Sequence, residues 1–238
     1  MDVGGWAGRL RTSYQRRGGW ATVAEAALRA RHSMWLNEAH VWYRLDLGQR
    51  CAQQSLPAEL FLQRGSPEEL WALRQFETIG EADALGRLER GATWYLVRDE
   101  RGTPYFSCWL LRREAPVLAA RGGELVVPAD MVMLEDSVAA AAARGKGVAP
   151  AAWSQIAADL GGAKVMVTKV AVENAASRRA VTKAGFVPFA VVGFRRRTLA
   201  RRTTVAPVGD NDQRLADWLT LALPGERAEA VTASYLAD

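Results

Sequence analysis

Residues 135–153 read EDSVAAAAARGKGVAPAAW, and this stretch changes character halfway along. Two carboxylates, a serine and a valine lead into five alanines, and these are followed by Arg-Gly-Lys-Gly, a proline and a tryptophan. Alanine is the best helix former and glycine nearly the worst. The stretch therefore predicts a break in the secondary structure at Gly145 and Gly147, with different elements on its two sides.

The glycine turn fails both common phosphate-binding motifs. A P-loop needs a lysine and a hydroxyl residue after its last glycine, whereas Val148 follows Gly147, and a dinucleotide fingerprint needs a third glycine where Pro150 stands. What remains is Arg144-x-x-Gly147-x-Ala149, placed between a predicted strand and a predicted helix. Glycines allow a sharp turn, and the free amides at a helix start bind anions. Pro150 removes one amide but presets the helical φ angle.

The segments around this turn predict a mixed α/β sheet. Upstream, the pattern predicts two helices, the first opened by Ser66 and Glu69 as a capping box, and then three extended segments that pair through hairpins. Downstream, Asn174 caps a helix that ends at Gly185. The sheet turns parallel across the helix that begins at Pro150. The predicted elements are a strand and a helix in 56–76, a helix in 79–91, strands in 93–111, 115–128 and 130–138, a helix in 150–160, a strand in 163–172, a helix in 174–185 and a strand or hairpin in 186–199.

With these elements in order, the sequence resembles the GNAT superfamily of acyl-CoA-dependent N-acyltransferases. The central motif of that family is Arg/Gln-x-x-Gly-x-Gly/Ala, which RGKGVA at 144–149 fits. Its second signature is an Asn, a small residue three positions on, and Gly-Phe at the end of the helix. Asn174, Ser177, Gly185 and Phe186 match this signature. The resemblance covers roughly residues 58–198 and includes the order of strands and helices.

The resemblance implies an α/β (α+β) fold with helices on both faces of a mixed, mostly antiparallel sheet. The fourth strand of the family carries a bulge and splays from the parallel fifth strand, and acyl-CoA (most simply acetyl-CoA) binds there without a metal. Pantetheine pairs with the splayed strand, and the pyrophosphate lies on the glycine turn. Carried over, the residues that bind coenzyme A are Ser137, Val138, Ala139, Arg144, Gly145, Lys146, Gly147, Val148, Ala149, Asn174 and Ser177.

The same resemblance points to Glu135 and Asp136 as candidate catalytic groups. Acyl transfer requires that the amine loses a proton, that charge on the carbonyl oxygen is stabilised and that the thiolate leaves. In several family members acidic residues here contact the amine or take its proton, although either carboxylate could instead be structural. Successive strand residues point to opposite faces, so only one should face the cleft unless a bulge intervenes. The backbone amide of Val138 or of Ala139 is the expected donor to the oxyanion. Many family members carry a tyrosine as general acid where Val181 stands.

Other reactive residues and the overall charge add little to this interpretation. Cys108 lies in an apolar strand, Cys51 has no basic pattern around it, and His32 and His40 fall in the N-terminal segment. Two cysteines give neither a disulfide framework nor a metal site, which favours a reducing compartment. The N-terminus lacks the apolar run of a signal peptide, and no transmembrane segment is predicted, so we expect a cytoplasmic protein. The net charge of +5 comes mainly from arginine and is poor evidence for a nucleic-acid partner.

Three functional hypotheses follow for a chain divided into a basic extension of helix and strand (1–55), an acyltransferase-like domain (56–205) and a C-terminal extension with one short helix (206–238). The leading one is an acyl-CoA-dependent N-acyltransferase with direct transfer to an amine of a small molecule or peptide. The second is a degenerate domain that binds acyl-CoA or a partner without catalysis. The third is that the basic extension docks on an anionic surface. The oligomeric state stays open, a homodimer included.

Overall fold

A nine-stranded sheet organises the described part of the molecule. The structure is a computed structural model that describes residues 35–48, 54–76, 78–117, 123–197, 200–209, 212–223 and 226–227. Its strands are β1 (Trp35–Asp46), β2 (Leu60–Arg64), β3 (Thr93–Asp99), β4 (Pro104–Leu111), β5 (Glu114–Pro116), β6 (Glu124–Val126), β7 (Met131–Ala139), β8 (Val165–Ala171), β9 (Val187–Arg197), β10 (Ala200–Pro207) and β11 (Glu226–Arg227). Its helices are α1 (Glu81–Glu89), α2 (Val148–Asp159), α3 (Ala175–Lys183) and α4 (Gln213–Ala222), with 3-10 helices at Pro67–Gln75 and Ala141–Ala143.

The main sheet is mixed and mostly antiparallel, as predicted. Its strand order is β11-β10-β9-β1-β8-β7-β4-β3-β2, in which β7 and β8 are parallel and are joined through α2. β10 and β11 are also parallel, and every other neighbouring pair is antiparallel. One expectation was wrong. β5 and β6 do not lie between β4 and β7 but form a separate two-stranded ribbon, because β4 already pairs with β3 on one edge and β7 on the other.

Helices cover both faces of the sheet, which confirms the predicted layers. The 3-10 helix Pro67–Gln75, α1 and α4 pack on the face that buries Trp42 and Trp109. The helices α2 and α3 pack on the opposite face, around Phe106 and Phe186. Because strand side chains alternate between faces, Val41 and Trp42 contribute to different cores. Burying a side chain such as Phe106 stabilises the fold by roughly 1.5–3 kcal/mol.

β1 lies inside the sheet although it comes from the segment expected to be an extension. Its residues pair with β8 on one side, from His40 to Asp46, and with β9 on the other, from Trp35 to Arg44. Val41 and Trp42 are fully buried. The strand itself was predicted, but its position between β8 and β9 was not. Its insertion brings the polar residues of β1 to the part of the sheet where β7 and β8 meet.

Several local predictions can be compared with the described residues. The amide of Ser66 donates to Oε2 of Glu69 at 3.0 Å, as a capping box requires, although the helix that follows is 3-10 rather than α. Gly91 and Gly185 end their helices with φ angles of 83° and 91°. The short C-terminal helix is α4, whereas β10 was not predicted as a strand of its own. Most of the basic extension (1–55), with His32, Cys51 and nearly all of the helix expected there, lies outside the described residues.

Candidate active site

A gap opens in the sheet where β7 and β8 separate. The two strands pair from Met131 to Leu134 and from Val165 to Thr168, and the pairing then ends. At the last rung the hydroxyl of Thr168 donates to the carbonyl oxygen of Leu134 at 3.0 Å. Beyond this point β7 continues along β4, whereas β8 continues along β1. The divergence matches the splayed strand pair that the sequence resemblance implied.

A bulge in β7 follows directly after the last paired residue. Glu135 stands opposite Trp109 and Val138 stands opposite Ser107, so three steps along β7 match two along β4. Asp136 has a φ of 47°, in the left-handed region, where residues other than glycine are uncommon. The extra residue cancels the usual alternation of side chains. Glu135 and Asp136 consequently line the same cavity of about 500 Å³.

Glu135 forms a buried ion pair with Lys169, a residue that the sequence analysis did not single out. Their side chains are only 8% and 10% exposed. Nζ of Lys169 also donates to the carbonyl oxygen of Pro116 at 2.7 Å and lies 5.5 Å from the centre of the Trp42 ring. Burial raises the pKa of Glu135 above its ordinary 4.5, and the Lys169 ammonium opposes this shift.

Asp136 is paired with a cation from a helix on the same side of the sheet. Nη1 of Arg87, on α1, lies 2.7 Å from Oδ2 of Asp136. The guanidinium also stacks over Trp109, with Cζ 5.4 Å from the ring centre. Asp136 stays partly exposed, at 32% of its side-chain surface, while Arg87 is more buried. Both predicted carboxylates therefore reach the cavity, and both already hold a cation.

The glycine turn lies at the other end of the gap. Gly145 and Gly147 have φ angles of 75° and 74°, and Gly147 is the N-cap of α2. Pro150 is the third residue of α2, so the amides of Val148 and Ala149 are left as donors in its first turn. These residues line a groove of about 690 Å³. Its other lining residues include Ser137, Val138, Ala139, Arg144, Asn174, Ser177, Arg179 and Lys183.

Asn174 and Ser177 connect the groove with the cavity, since both residues line both spaces. Oδ1 of Asn174 accepts a hydrogen bond from the Ser177 amide at 3.0 Å, which caps α3 as predicted. The amide nitrogen of the Asn174 side chain is not used by this cap and is available to donate to a ligand. Val181, at the position of the family tyrosine, is a buried core residue that touches the cavity. Cys108 is fully buried, and burial raises the pKa of its thiol, which makes the thiol unreactive.

Solved structures of other proteins share the fold of this chain. A GCN5-related N-acetyltransferase from Kribbella flavida is similar with a TM-score of 0.50 and 15% identity, over 72% of this chain and 63% of its own. A Drosophila protein is similar with a TM-score of 0.50 and 12% identity, over 74% of this chain and 56% of its own. The chain has the fold of the GCN5-related N-acetyltransferases.

This likeness is one of fold, at identities too low to carry over an activity. The chain spans less than two thirds of the length of either similar protein. No protein-family model matches the sequence, and no curated protein is similar to it in sequence. Within the described ranges, no helix is long and apolar enough to cross a membrane. Among the same residues, no group of three or more His, Cys, Asp or Glu side chains is placed to hold a metal ion.

Sequence reasoning missed several polar residues that line the two spaces of this GCN5-related fold. Lys169 had a usable signal, because it is the only charged residue of β8. Arg87 had none, since α1 carries several charges and only the tertiary fold selects one of them. The cavity also receives Glu38 and His40 from β1. Trp153 donates through Nε1 to the Ser137 hydroxyl at 3.2 Å and so tethers the bulge to α2.

Proposed function

We propose that this protein transfers an acyl group, most simply acetyl, from acyl-CoA to the amine of a small molecule or peptide by direct attack. The observation that carries the proposal is the continuity of the two spaces at the gap between β7 and β8. Five residues line both the groove at the glycine turn and the cavity at the carboxylates: Ser137, Val138, Trp153, Asn174 and Ser177. An acyl donor bound in the groove would present its reactive end to the cavity.

The charges of the groove suit the phosphates of coenzyme A. Arg144, Arg179 and Lys183 contribute three cations, and its described lining residues include no carboxylate. The amides of Val148 and Ala149 add donors at a helix N-terminus, where the dipole favours anions. The assignment of residues 144–149 to the pyrophosphate stays a proposal that these charges support.

The bulge in β7 supports the placement of the reacting thioester, which coenzyme A supplies. Among the described residues, none pairs with β7 on the β8 side beyond Leu134. The backbone groups of Ser137, Val138 and Ala139 would pair with the extended pantetheine as strand pairs with strand. The amide of Ala140 donates to the carbonyl oxygen of Tyr105 on β4, so the preceding amide, that of Ala139, points toward the gap and would stabilise the oxyanion as charge develops. Val181 offers no acidic proton, so the thiolate would leave unprotonated or take a proton from water.

The acceptor side is lined by Glu135 and Asp136, whose carboxylates would contact the amine. Their cation partners, Lys169 and Arg87, reduce the negative charge of the cavity. A monocationic amine therefore fits better than a polycation, because few carboxylates are left uncompensated. The electrostatic preference is modest.

An acyl-CoA-dependent thiol-release assay tests the proposal. The panel of acceptors comprises amino acids, amino sugars, aminoglycosides, polyamines and peptides, and calorimetry measures acetyl-CoA affinity in parallel. We expect binding of acetyl-CoA and thiol release with at least one amine class. Absence of binding would reject the assignment of the groove.

Binding without turnover is the second candidate function. Val181 in the core at the position of the family tyrosine, and two carboxylates already held by cations, favour a domain that binds acyl-CoA without catalysis. Micromolar binding of acetyl-CoA together with no thiol release across the whole panel would support this candidate against the enzyme.

A further inference from the structure

Neither carboxylate of the bulge is well suited to take the proton of the amine. Glu135 neutralises Lys169 where both side chains are nearly buried, and Asp136 neutralises Arg87. A protonated Glu135 would leave the Lys169 ammonium buried without its counter-ion, which is strongly unfavourable. Both carboxylates are better suited to stay ionised, because each then holds its cation and can contact the amine. The acyl transfer proposed above therefore needs another base.

β1 supplies a histidine to the same cavity. His40 pairs with Ala171 of β8, and both residues line the cavity that contains Glu135 and Asp136. Ala171 contributes only a methyl side chain to this cavity. Nδ1 of His40 is buried and lies 3.4 Å from Oε1 of Glu38, which comes from the same face of β1.

We propose that His40 is the catalytic base that takes the proton from the acceptor ammonium. The inference rests on the proposed acyl transfer. It assigns the removal of the ammonium proton to a residue of β1, a strand outside the region of family resemblance. Glu38 lies where it stabilises the imidazolium that forms, as a carboxylate beside a catalytic histidine does. Glu135 and Asp136 then contact the amine and stay ionised.

Burial favours the neutral form of the His40 imidazole before the reaction. Burial lowers its pKa below the ordinary 6.5, and Lys169 lowers it further, whereas Glu38 and Glu173 oppose the shift. Across the cavity it faces Glu135, Asp136 and Arg87, and the opposing residue of β9 is the apolar Val192. A neutral imidazole has a free lone pair at neutral pH and is therefore ready to accept a proton.

The reaction balances with this one base. The acceptor ammonium gives one proton to His40 and becomes a neutral amine, whose lone pair forms the new C–N bond at the thioester carbonyl. The C–S bond breaks, and the amide nitrogen loses its second proton, which ends on the thiolate directly or through water. His40 then releases the first proton to solvent. The sum is ammonium and thioester giving amide, free thiol and one proton.

The test compares the pH dependence of kcat/KM in the full-length wild type and in His40→Gln, using the best acceptor of the panel. The wild-type rate should fall about tenfold per pH unit below the pKa of the base. His40→Gln should lower kcat/KM at pH 7 by about 10²–10⁴-fold and lose that acidic limb. Acetyl-CoA affinity should stay within about twofold. Glu135→Gln and Asp136→Asn should keep the acidic limb of the pH profile, although they should raise KM for the amine.

The chain offers a matched control because it has only two histidines, His32 and His40. His32→Gln should behave as wild type, and in that variant diethyl pyrocarbonate modifies a single histidine. Thiol release should then disappear in step with modification, which tests the proposal even if His40→Gln fails to fold. Full modification with retained turnover overturns it.

The outcomes separate the two proposals. Wild-type turnover together with an unchanged rate and limb in His40→Gln overturns the role of His40 and leaves acyl transfer standing. Loss of the limb in Glu135→Gln instead assigns the proton to that carboxylate and also overturns it. A wild type that binds acetyl-CoA but releases no thiol with any amine rejects the acyl transfer, and the base assignment falls with it.

Discussion

At the scale of single residues, Asp136 decides how the cavity is lined. Its left-handed backbone, with φ of 47°, creates the bulge that turns Glu135 and Asp136 toward one space. The sequence analysis left open whether one or both carboxylates face the cleft, because period-two alternation and a bulge give opposite answers. Only the pairing with β4 resolves the question, since three steps along β7 match two along β4.

Gly147 allows a test of the anion site in which only charge changes. Its φ is 74°, and a Cβ added there meets no atom within 4 Å, so Asn and Asp both fit a backbone conformation that they tolerate. Gly147→Asp places a carboxylate at the proposed phosphate position. At about 4 Å and an effective dielectric constant near 20, that repulsion is about 4 kcal/mol, or about a thousandfold in Kd. We expect Gly147→Asp to lose acetyl-CoA binding in calorimetry.

The control is Gly147→Asn, which should bind acetyl-CoA within about tenfold of wild type. Gly147→Asp should also keep its melting temperature, because a carboxylate at a helix N-terminus is favourable by about 0.3–1 kcal/mol. Equal affinity in the two variants would show that the pyrophosphate does not lie on this turn.

Lys169 is predicted to stabilise the fold in a pH-dependent way. Removing its charge in Lys169→Met leaves Glu135 buried without a counter-ion, which should lower the free energy of unfolding by about 3–5 kcal/mol at pH 7. Burial already raises the pKa of Glu135 above 4.5, and losing Lys169 removes a group that lowers it. The folded state then takes up a proton more readily than the unfolded state, so the deficit should shrink as pH falls from 7 toward 5.

Urea unfolding at both pH values measures this effect. The matched variant Glu135→Gln/Lys169→Met replaces the pair with neutral side chains of similar size and should recover most of the stability at pH 7, without the pH dependence. A single variant that is equally destabilised at pH 5 and pH 7 would mean that Glu135 does not carry the effect.

At the scale of elements, β1 determines the shape of the acceptor side. It fills the sheet between β8 and β9 and contributes Glu38 and His40 to the cavity. β8 can leave β7 after Thr168 because β1 provides the partner for its remaining residues. The gap between β7 and β8 therefore depends on a strand that comes from far upstream in the chain.

Replacing Trp42 tests how much β1 contributes to the stability of the fold. The side chain is fully buried, packs edge-on against Trp218 and lies beside Lys169. Trp42→Ala should lower the free energy of unfolding by about 3–5 kcal/mol, as large-to-small changes in a core do. The same change at Trp71, which is 55% exposed, should cost no more than about 0.5 kcal/mol. Chemical denaturation compares the two, and similar costs would contradict a central position of β1.

At the scale of the whole molecule, the main sheet includes strands from outside the expected domain of residues 56–205, namely β1 and β11. A fragment of residues 56–205 keeps both signatures of the family but lacks β1, α4 and β11. It would expose the edges of β8 and β9 and lose the buried side chains of β1. Unpaired edges between two apolar layers favour aggregation. We expect this fragment to be insoluble or to show no cooperative unfolding.

A fragment that begins at residue 35 is the matched comparison, because it keeps every described strand. It should unfold cooperatively, as followed by circular dichroism, and bind acetyl-CoA. Cooperative unfolding of 56–205 with full acetyl-CoA affinity would instead restore the boundary at residue 56.

The short-range features of the fold could be predicted from the sequence by itself. The glycine turn, the Asn174 cap, the helix ends at Gly91 and Gly185 and the strand periods depend on interactions over a few residues, so residue type and spacing predict them. The order of these elements was enough for the resemblance and for the mixed sheet. The tertiary structure alone decided which residues surround the carboxylates. Lys169, Arg87 and His40 come to this cavity from β8, α1 and β1. Which strands become neighbours depends on burial and edge pairing over the whole chain, so a local sequence pattern does not predict it.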